Sequence, residues 1–270
     1  MGFEPRILGR TGMKVGRLGV AAAYGAPAAA FEEAFERGCN YFYWGSIRRG
    51  GMRDAVRNIC RAGKRDSLVL VVQSFSRSAW YLERSVHGAL ARLGLTSVDV
   101  LLLGLYNGPP SRRIMERALV LKERGVVRCI GLSGHNRGVF PRFAAEGELD
   151  VLHVRYSAAH RGAEEEVFPS IEALDEERRP GLVSFTATRW GQLLRQKHMP
   201  PGVTAPRAAD CYRFVLTNPA VDVCLSGPST RAQMTEALHA LTRGPMSEEE
   251  LRLMRRIGDH LHGRVPVETG

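Results

Sequence analysis

Short apolar runs alternate with amphipathic stretches from one end of the chain to the other. The runs are RLGVAAAY (17–24), NYFYWG (40–45), SLVLVVQSF (67–75), SVDVLLLGL (97–105), VVRCIGLSG (126–134), DVLHVRYS (150–157), GLVSFTAT (181–188) and AVDVCLSG (220–227). Their near-continuous Val, Leu, Ile and Ala character means burial on both faces, as in parallel strands covered by helices. Helix-period segments lie between them. AAAFEEAFERG (28–38) carries Phe31, Ala34 and Phe35 on one stripe and stops at Gly38, a favoured C-terminal residue. SAWYLERSVHGALARLG (78–94) sets Leu82, Val86, Ala89, Leu90 and Leu93 on one face. SRRIMERALVLKERG (111–125), EEEVFPSIEALDEE (164–177), RAADCYRFVLTNP (207–219) and STRAQMTEALHALTRG (229–244) have the same character. Eight evenly spaced strand–helix units predict one α/β domain over residues 1–270, a closed (β/α)8 TIM barrel; a doubly wound open sheet is the alternative. PRILGRTGMKVGRLG, with turn residues Gly9 and Gly12, predicts an N-terminal β-hairpin ahead of the first barrel strand. MSEEELRLMRRIGDHLHG predicts a C-terminal helix packed outside the barrel.

Composition narrows the class. At 44% hydrophobic and 24% charged residues, the chain reads as an ordinary soluble globular protein. No stretch approaches 18 apolar residues, and MGFEPRILGR has no apolar run of a signal peptide, so a cytoplasmic protein without a membrane contact is expected. The net charge of +10 invites a nucleic-acid reading. Only four of the 38 basic residues are lysines, however, and the arginines sit singly or in pairs along every helical segment. A nucleic-acid surface wants a continuous basic stripe, usually with aromatics, so none is expected here. Cys39, Cys60, Cys129, Cys211 and Cys224 are widely spaced and form no CxxC, so no metal site is expected.

Several phrases carry a family resemblance. The opening LGRTGMKVGRLGV, then GCNYF, SLVLVVQ, LGLTSVDVLLLG, ERGVVRCIGLSG, VRYS and SGPSTRAQMTEAL follow one another in the order in which similar phrases occur in the aldo/keto reductases. The chain resembles that family over about residues 6–240. The resemblance implies a TIM barrel, NADP(H) as cofactor, and carbonyl reduction by an Asp, Tyr, Lys and His tetrad at the C-terminal ends of the early strands. Here the aspartate position is Tyr43, the tyrosine position Arg48, the lysine position Gln73 and the histidine position Gly104. Arginine keeps its protons at physiological pH, glycine offers no side chain, and glutamine has no charge to depress a neighbour's pKa. Tyr43 is the nearest phenol left, and a neighbouring Arg48 would lower its pKa.

The cofactor positions implied by the resemblance are better kept. Gly227 and Ser229 fall at a loop-to-helix start, where backbone N–H groups favour phosphate. Arg231 matches the residue that holds the 2′-phosphate, and Gln233 and Glu236 match adenine and ribose contacts. At the nicotinamide end Ser133 is kept, Gly134 and His153 replace an asparagine and a glutamine, Phe185 matches a stacking aromatic and Thr186 a serine. His135 and His153 sit at strand ends facing the mouth, where polar pocket lining is the expectation. Three readings follow: an atypical NADP(H)-dependent oxidoreductase with its proton from Tyr43 or His153; a catalytically silent sensor or partner protein holding a nucleotide or other small ligand at the barrel mouth; or another reaction on an anionic substrate clamped by Arg48. A mouth open around Tyr43, Arg48, Tyr106 and His153 favours an enzyme. A mouth closed by Trp44, Trp190 or Arg189 favours the silent protein.

Overall fold

The computed structural model describes residues 2–45 and 49–264. The hairpin comes first: β1 (Arg6–Ile7) pairs antiparallel with β2 (Lys14–Val15), Arg6 opposite Val15. Eight parallel strands then close a barrel: β3 (Leu18–Ala21), β4 (Tyr41–Trp44), β5 (Val69–Ser74), β6 (Val98–Leu103), β7 (Val127–Gly134), β8 (Val151–Arg155), β9 (Gly181–Phe185) and β10 (Val223–Ser226). Each pairs with its sequence neighbour, and β10 returns to β3 through Cys224–Leu18 and Ser226–Val20. All eight lie within the eight apolar runs.

The helices are α1 (Ala28–Glu36), α2 (Gly50–Arg61), α3 (Ala79–Leu93), α4 (Arg112–Glu123), α5 (Phe140–Glu146), α6 (Ala163–Glu166), α7 (Phe168–Glu172), α8 (Ala208–Thr217), α9 (Arg231–Arg243) and α10 (Glu248–Arg264). Residues 164–177 do not form the one helix that their periodicity suggests. They break at Val167, because Pro169 has no N–H to continue the ladder and instead opens α7. The helices α2 and α5 went unread in the sequence. Gly50 and Gly51 look like a loop, yet a Cβ on Gly51 would lie 2.0 Å from the Ala26 carbonyl oxygen, so glycine there is required by close packing.

Two apolar layers result. One lies between strands and helices; the other fills the barrel with Tyr41, Val71, Val100, Leu102, Val151, Val183 and Val223. Leu8, Met13 and Val15 of the hairpin join the inner layer, so the hairpin closes the N-terminal end. Tyr41 fits inside because Gly19 faces it; a Cβ there would come within 3.1 Å of its ring.

The closed end also explains part of the arginine excess. Asp99, Asp150 and Asp222, each entering a strand, are buried and accept the backbone N–H of Leu70, Ile130 and Leu182 respectively. Each also faces two cations: Arg65 and Arg128, Arg10 and Lys122, Arg6 and Arg179. Conserving geometry at this end of a barrel serves stability, leaving the opposite end for ligands.

Candidate functional site

Alternation along the strands decides what faces the mouth. Tyr41 and Tyr43 both point inward from β4, Gln73 from β5 and His153 from β8, two residues above Val151. Buried His153 accepts or donates through Nε2 to the Tyr41 hydroxyl at 2.8 Å, while the Tyr43 ring lies over it, centroids 5.9 Å apart. Burial drives the His153 pKa down to about 3, so the imidazole is neutral. The Tyr43 hydroxyl donates to Gln73 Oε1, and Gln73 Nε2 donates to Ser133 Oγ at 3.3 Å. Ser133 Oγ accepts a second hydrogen bond, from Leu105 N at 3.2 Å. Burial raises the Tyr43 pKa, opposite to the lowering expected from an adjacent arginine. Arg48 itself lies outside the described residues.

Gly104 is part of the same arrangement. A Cβ on it would sit 2.3 Å from Gln73 Nε2 and 2.8 Å from Phe75 Cδ1, so the Gln73 amide occupies the space that a side chain at 104 needs. The loop that follows is clamped elsewhere. Leu105 takes a left-handed φ of 55°, and Arg77 donates to the carbonyls of Gly104 and Leu105 at 3.1 and 2.7 Å. The Arg77 guanidinium stacks 3.8 Å from the Tyr106 ring centroid, and the Tyr106 hydroxyl donates to Ser76 O. The Tyr106 side chain is thereby buried and its hydroxyl committed to Ser76. Gly134 cannot carry a side chain either, since its Cβ would lie 2.1 Å from Tyr106 O.

On the far side of the mouth, Tyr24 is a second phenol that the sequence did not single out. Its ring covers Gly227, where a Cβ would come within 2.4 Å of it, and it lies close enough to Tyr43 to disfavour ionisation there. Ser229 and Gln233 are brought together: Ser229 N and Oγ both donate to Gln233 Oε1 at 2.8 Å. Thr230 caps α9 by accepting from Gln233 N at 3.2 Å. Arg231, exposed on the first turn of α9, donates from Nε to Glu33 Oε2 of α1 at 3.0 Å. Glu236 Oε1 is buried without a partner.

The expected plugs behave differently from one another. Trp44 is buried in the outer layer among the helices, under the Arg49 guanidinium, and so does not fill the mouth. Trp190 is exposed. Arg189 is buried, with Nη1 unpartnered. Phe185 is half-buried, and the His135 ring meets it edge-on, centroids 5.8 Å apart. Thr186 has a φ of 66°. A recess of about 500 Å³ lies at the opposite end, against the hairpin, between Lys14, Asn40, Asp66 and Arg128. No buried unpartnered polar atom lines it. Among the described residues no group of three or more His, Cys, Asp or Glu side chains forms a metal site, and no helix is long and apolar enough to cross a membrane.

The barrel as a whole is similar to known structures. Aldo-keto reductase AKR11C1 from Bacillus halodurans, in its holo form, matches with a TM-score of 0.77 at 20% identity, over 94% of this chain and 96% of that one. Its apo form matches with a TM-score of 0.76, again at 20% identity over 94% and 96%. The chain has the aldo-keto reductase fold. No family model matches it, and no curated protein matches its sequence. Fold leaves function open; the mouth has to supply it.

Proposed function

We propose that this chain is a ligand-binding protein on the aldo-keto reductase barrel, which holds a phosphorylated nucleotide of the NADP(H) type and does not carry out the ordinary carbonyl reduction. The observation that carries this reading is the closed Tyr43–Gln73–Ser133 chain of hydrogen bonds, with the Gln73 amide standing in the space above Gly104. A reductase needs an acid whose pKa is matched to its working pH. Burial raises Tyr43 away from that range and drives His153 to about 3, below it. Gln73 accepts the Tyr43 hydrogen bond through an uncharged oxygen, so it does not stabilise a phenolate as a cation would.

The two ends of the mouth fit a dinucleotide unequally. At the β10–α9 end the side chains suit a phosphate: Arg231 is exposed and held only by a solvent-screened pair with Glu33, and Ser229 and Thr230 stand at a helix start. Glu236 Oε1, buried and unpartnered, is an acceptor ready for a hydroxyl. NADP(H), when bound, would supply a hydride. Ser133 Oγ, which already accepts two hydrogen bonds, keeps its own proton to offer to an amide. At this end Ser133 positions and binds, and neither Tyr43 nor His153 has a pKa suited to delivering a proton at neutral pH.

Equilibrium binding of NADPH and NADH to the natural protein and to Arg231→Ala tests the assignment. Losing one charged contact weakens NADPH by roughly tenfold to a hundredfold. NADH, lacking the 2′-phosphate, changes little. Equal weakening of both would remove the role given to Arg231.

A further inference from the structure

Five buried polar atoms without a hydrogen-bond partner belong to strand ends and loops on one side of the mouth: His135 Nδ1, Arg155 Nε, Ser157 Oγ, Arg189 Nη1 and Gln192 Oε1. They belong to the ends of β7 and β8 and the loop after β9. Arg155 ends β8 directly opposite Phe185 in register, His135 packs on that same Phe185, and Arg189 N donates to Thr186 O in the turn that follows it. Arg155 feels the positive charges of Arg137 and Arg189. His160, from the loop after β8, feels those three arginines and His262 of α10. Arg137 is already held by Glu166, at 2.9 and 2.7 Å. Among the described residues no carboxylate hydrogen-bonds Arg155 Nε or Arg189 Nη1.

The backbone that delivers Arg189 is strained. Thr186, Arg189 and Trp190 have φ of 66°, 50° and 51° before Gly191 ends the turn. Left-handed backbone is costly for a non-glycine residue, most for a β-branched one such as threonine, and it collects at ligand clamps. A strained turn that buries a guanidinium nitrogen without a hydrogen-bond partner, beside a second cation, is a poor structural device. It is a sound anion receptor, because an oxyanion satisfies the N–H groups and cancels the repulsion together.

We propose that the phosphate or carboxylate of a small ligand binds between Arg155 and Arg189, with His135 Nδ1 as a further donor. The site stands beside Phe185, at the ends of β8 and β9, whereas Arg231 opens α9 after β10, so the two are probed by separate substitutions. It gives the mouth an anionic small molecule as its ligand class.

Thermal unfolding and calorimetry with inorganic phosphate and with malonate, against chloride at fixed ionic strength, test it. Either oxyanion raises the melting temperature of the natural protein; a stronger response to phosphate or to malonate tells which group the site takes. R189Q and R155Q each lose roughly tenfold to a hundredfold in that affinity. In chloride R189Q melts no lower than the natural protein, since a buried unpartnered charge has gone, which also shows that it folds. R231Q keeps the response, although it loses NADPH. No response to either oxyanion overturns the proposal, as does a response that R189Q and R155Q retain. A response that vanishes in R231Q assigns the anion to α9 and overturns it too. So does R189Q weakening NADPH as much as phosphate, because the cluster would then serve the dinucleotide.

Discussion

If the Gln73 amide fills the space above Gly104, a single methyl group at 104 must displace it. The Gly104→Ala Cβ would lie 2.3 Å from Gln73 Nε2 and 3.0 Å from Gln73 Cδ, well inside contact distance. Phe75, the third neighbour, is exposed and free to turn away. Moving the amide breaks its hydrogen bonds to Tyr43 and Ser133, each worth about 1 kcal/mol net, and adds about 1 kcal/mol or more of overpacking. The substitution therefore costs about 2–4 kcal/mol. At roughly 2 °C per kcal/mol for a chain of this size, the melting temperature falls by about 4–8 °C. In a Gln73→Ala background the methyl enters vacated space, and its cost drops below about 1 kcal/mol. A double-mutant cycle read by denaturant unfolding then gives a coupling of about 2 kcal/mol, within the range for residues in contact. Additive effects of Gly104→Ala and Gln73→Ala would refute the claim that these two positions share one space.

Two further outcomes follow from burial. Asp222→Ala leaves the Leu182 N–H and the Arg179 guanidinium without their buried acceptor, and the cost is about 3–5 kcal/mol, or a melting temperature lower by about 6–10 °C; a loss under about 1 kcal/mol would show that the closed end is not held this way. His153 keeps its proton off in the folded state down to about pH 3, whereas the unfolded imidazole charges near 6.5, so stability is complete above 6.5 and falls between 6.5 and 3. His160, lowered to about 4, adds a slope of the same sign. Melting curves across that window should be flatter for His153→Gln than for the natural protein, and identical slopes would remove His153 from the acid response.

The barrel was legible because its strands are buried on both faces, which leaves an unbroken apolar signature in each run. Helix α2 was hidden by the Gly50–Gly51 pair that its packing against Ala26 demands, and Pro169 split a segment whose charge and periodicity suggested continuity. In the site, alternation along β4 and β8 was enough to aim Tyr43 and His153 inward. Alternation would also have aimed Arg155, two residues beyond His153, at the mouth; an inward charge at a strand end was the available signal. Tyr24 was not legible, since its approach to Gly227 and Tyr43 depends on how the loop after β3 folds. Neither was the direction of the Tyr43 pKa: the charge of a neighbouring arginine is written in the sequence, the depth of burial is not. Arg189 reads as a possible plug, and only its left-handed turn and buried, unpartnered Nη1 mark it for the anion site proposed above.

Binding without protonation of a carbonyl is the behaviour proposed for this mouth. It is tested most directly by following NADPH oxidation at saturating cofactor with a panel of simple aldehydes and ketones, on protein whose NADPH binding has been measured in the same preparation. The arrangement of Tyr43, Gln73 and Gly104 predicts binding with no turnover above the protein-free rate, in the natural protein and in Tyr43→Phe and Tyr24→Phe alike. Turnover of about 1 s⁻¹ or more, inside the ordinary enzyme range, would contradict it; loss of that turnover in one of the two variants would identify the phenol that supplies the proton.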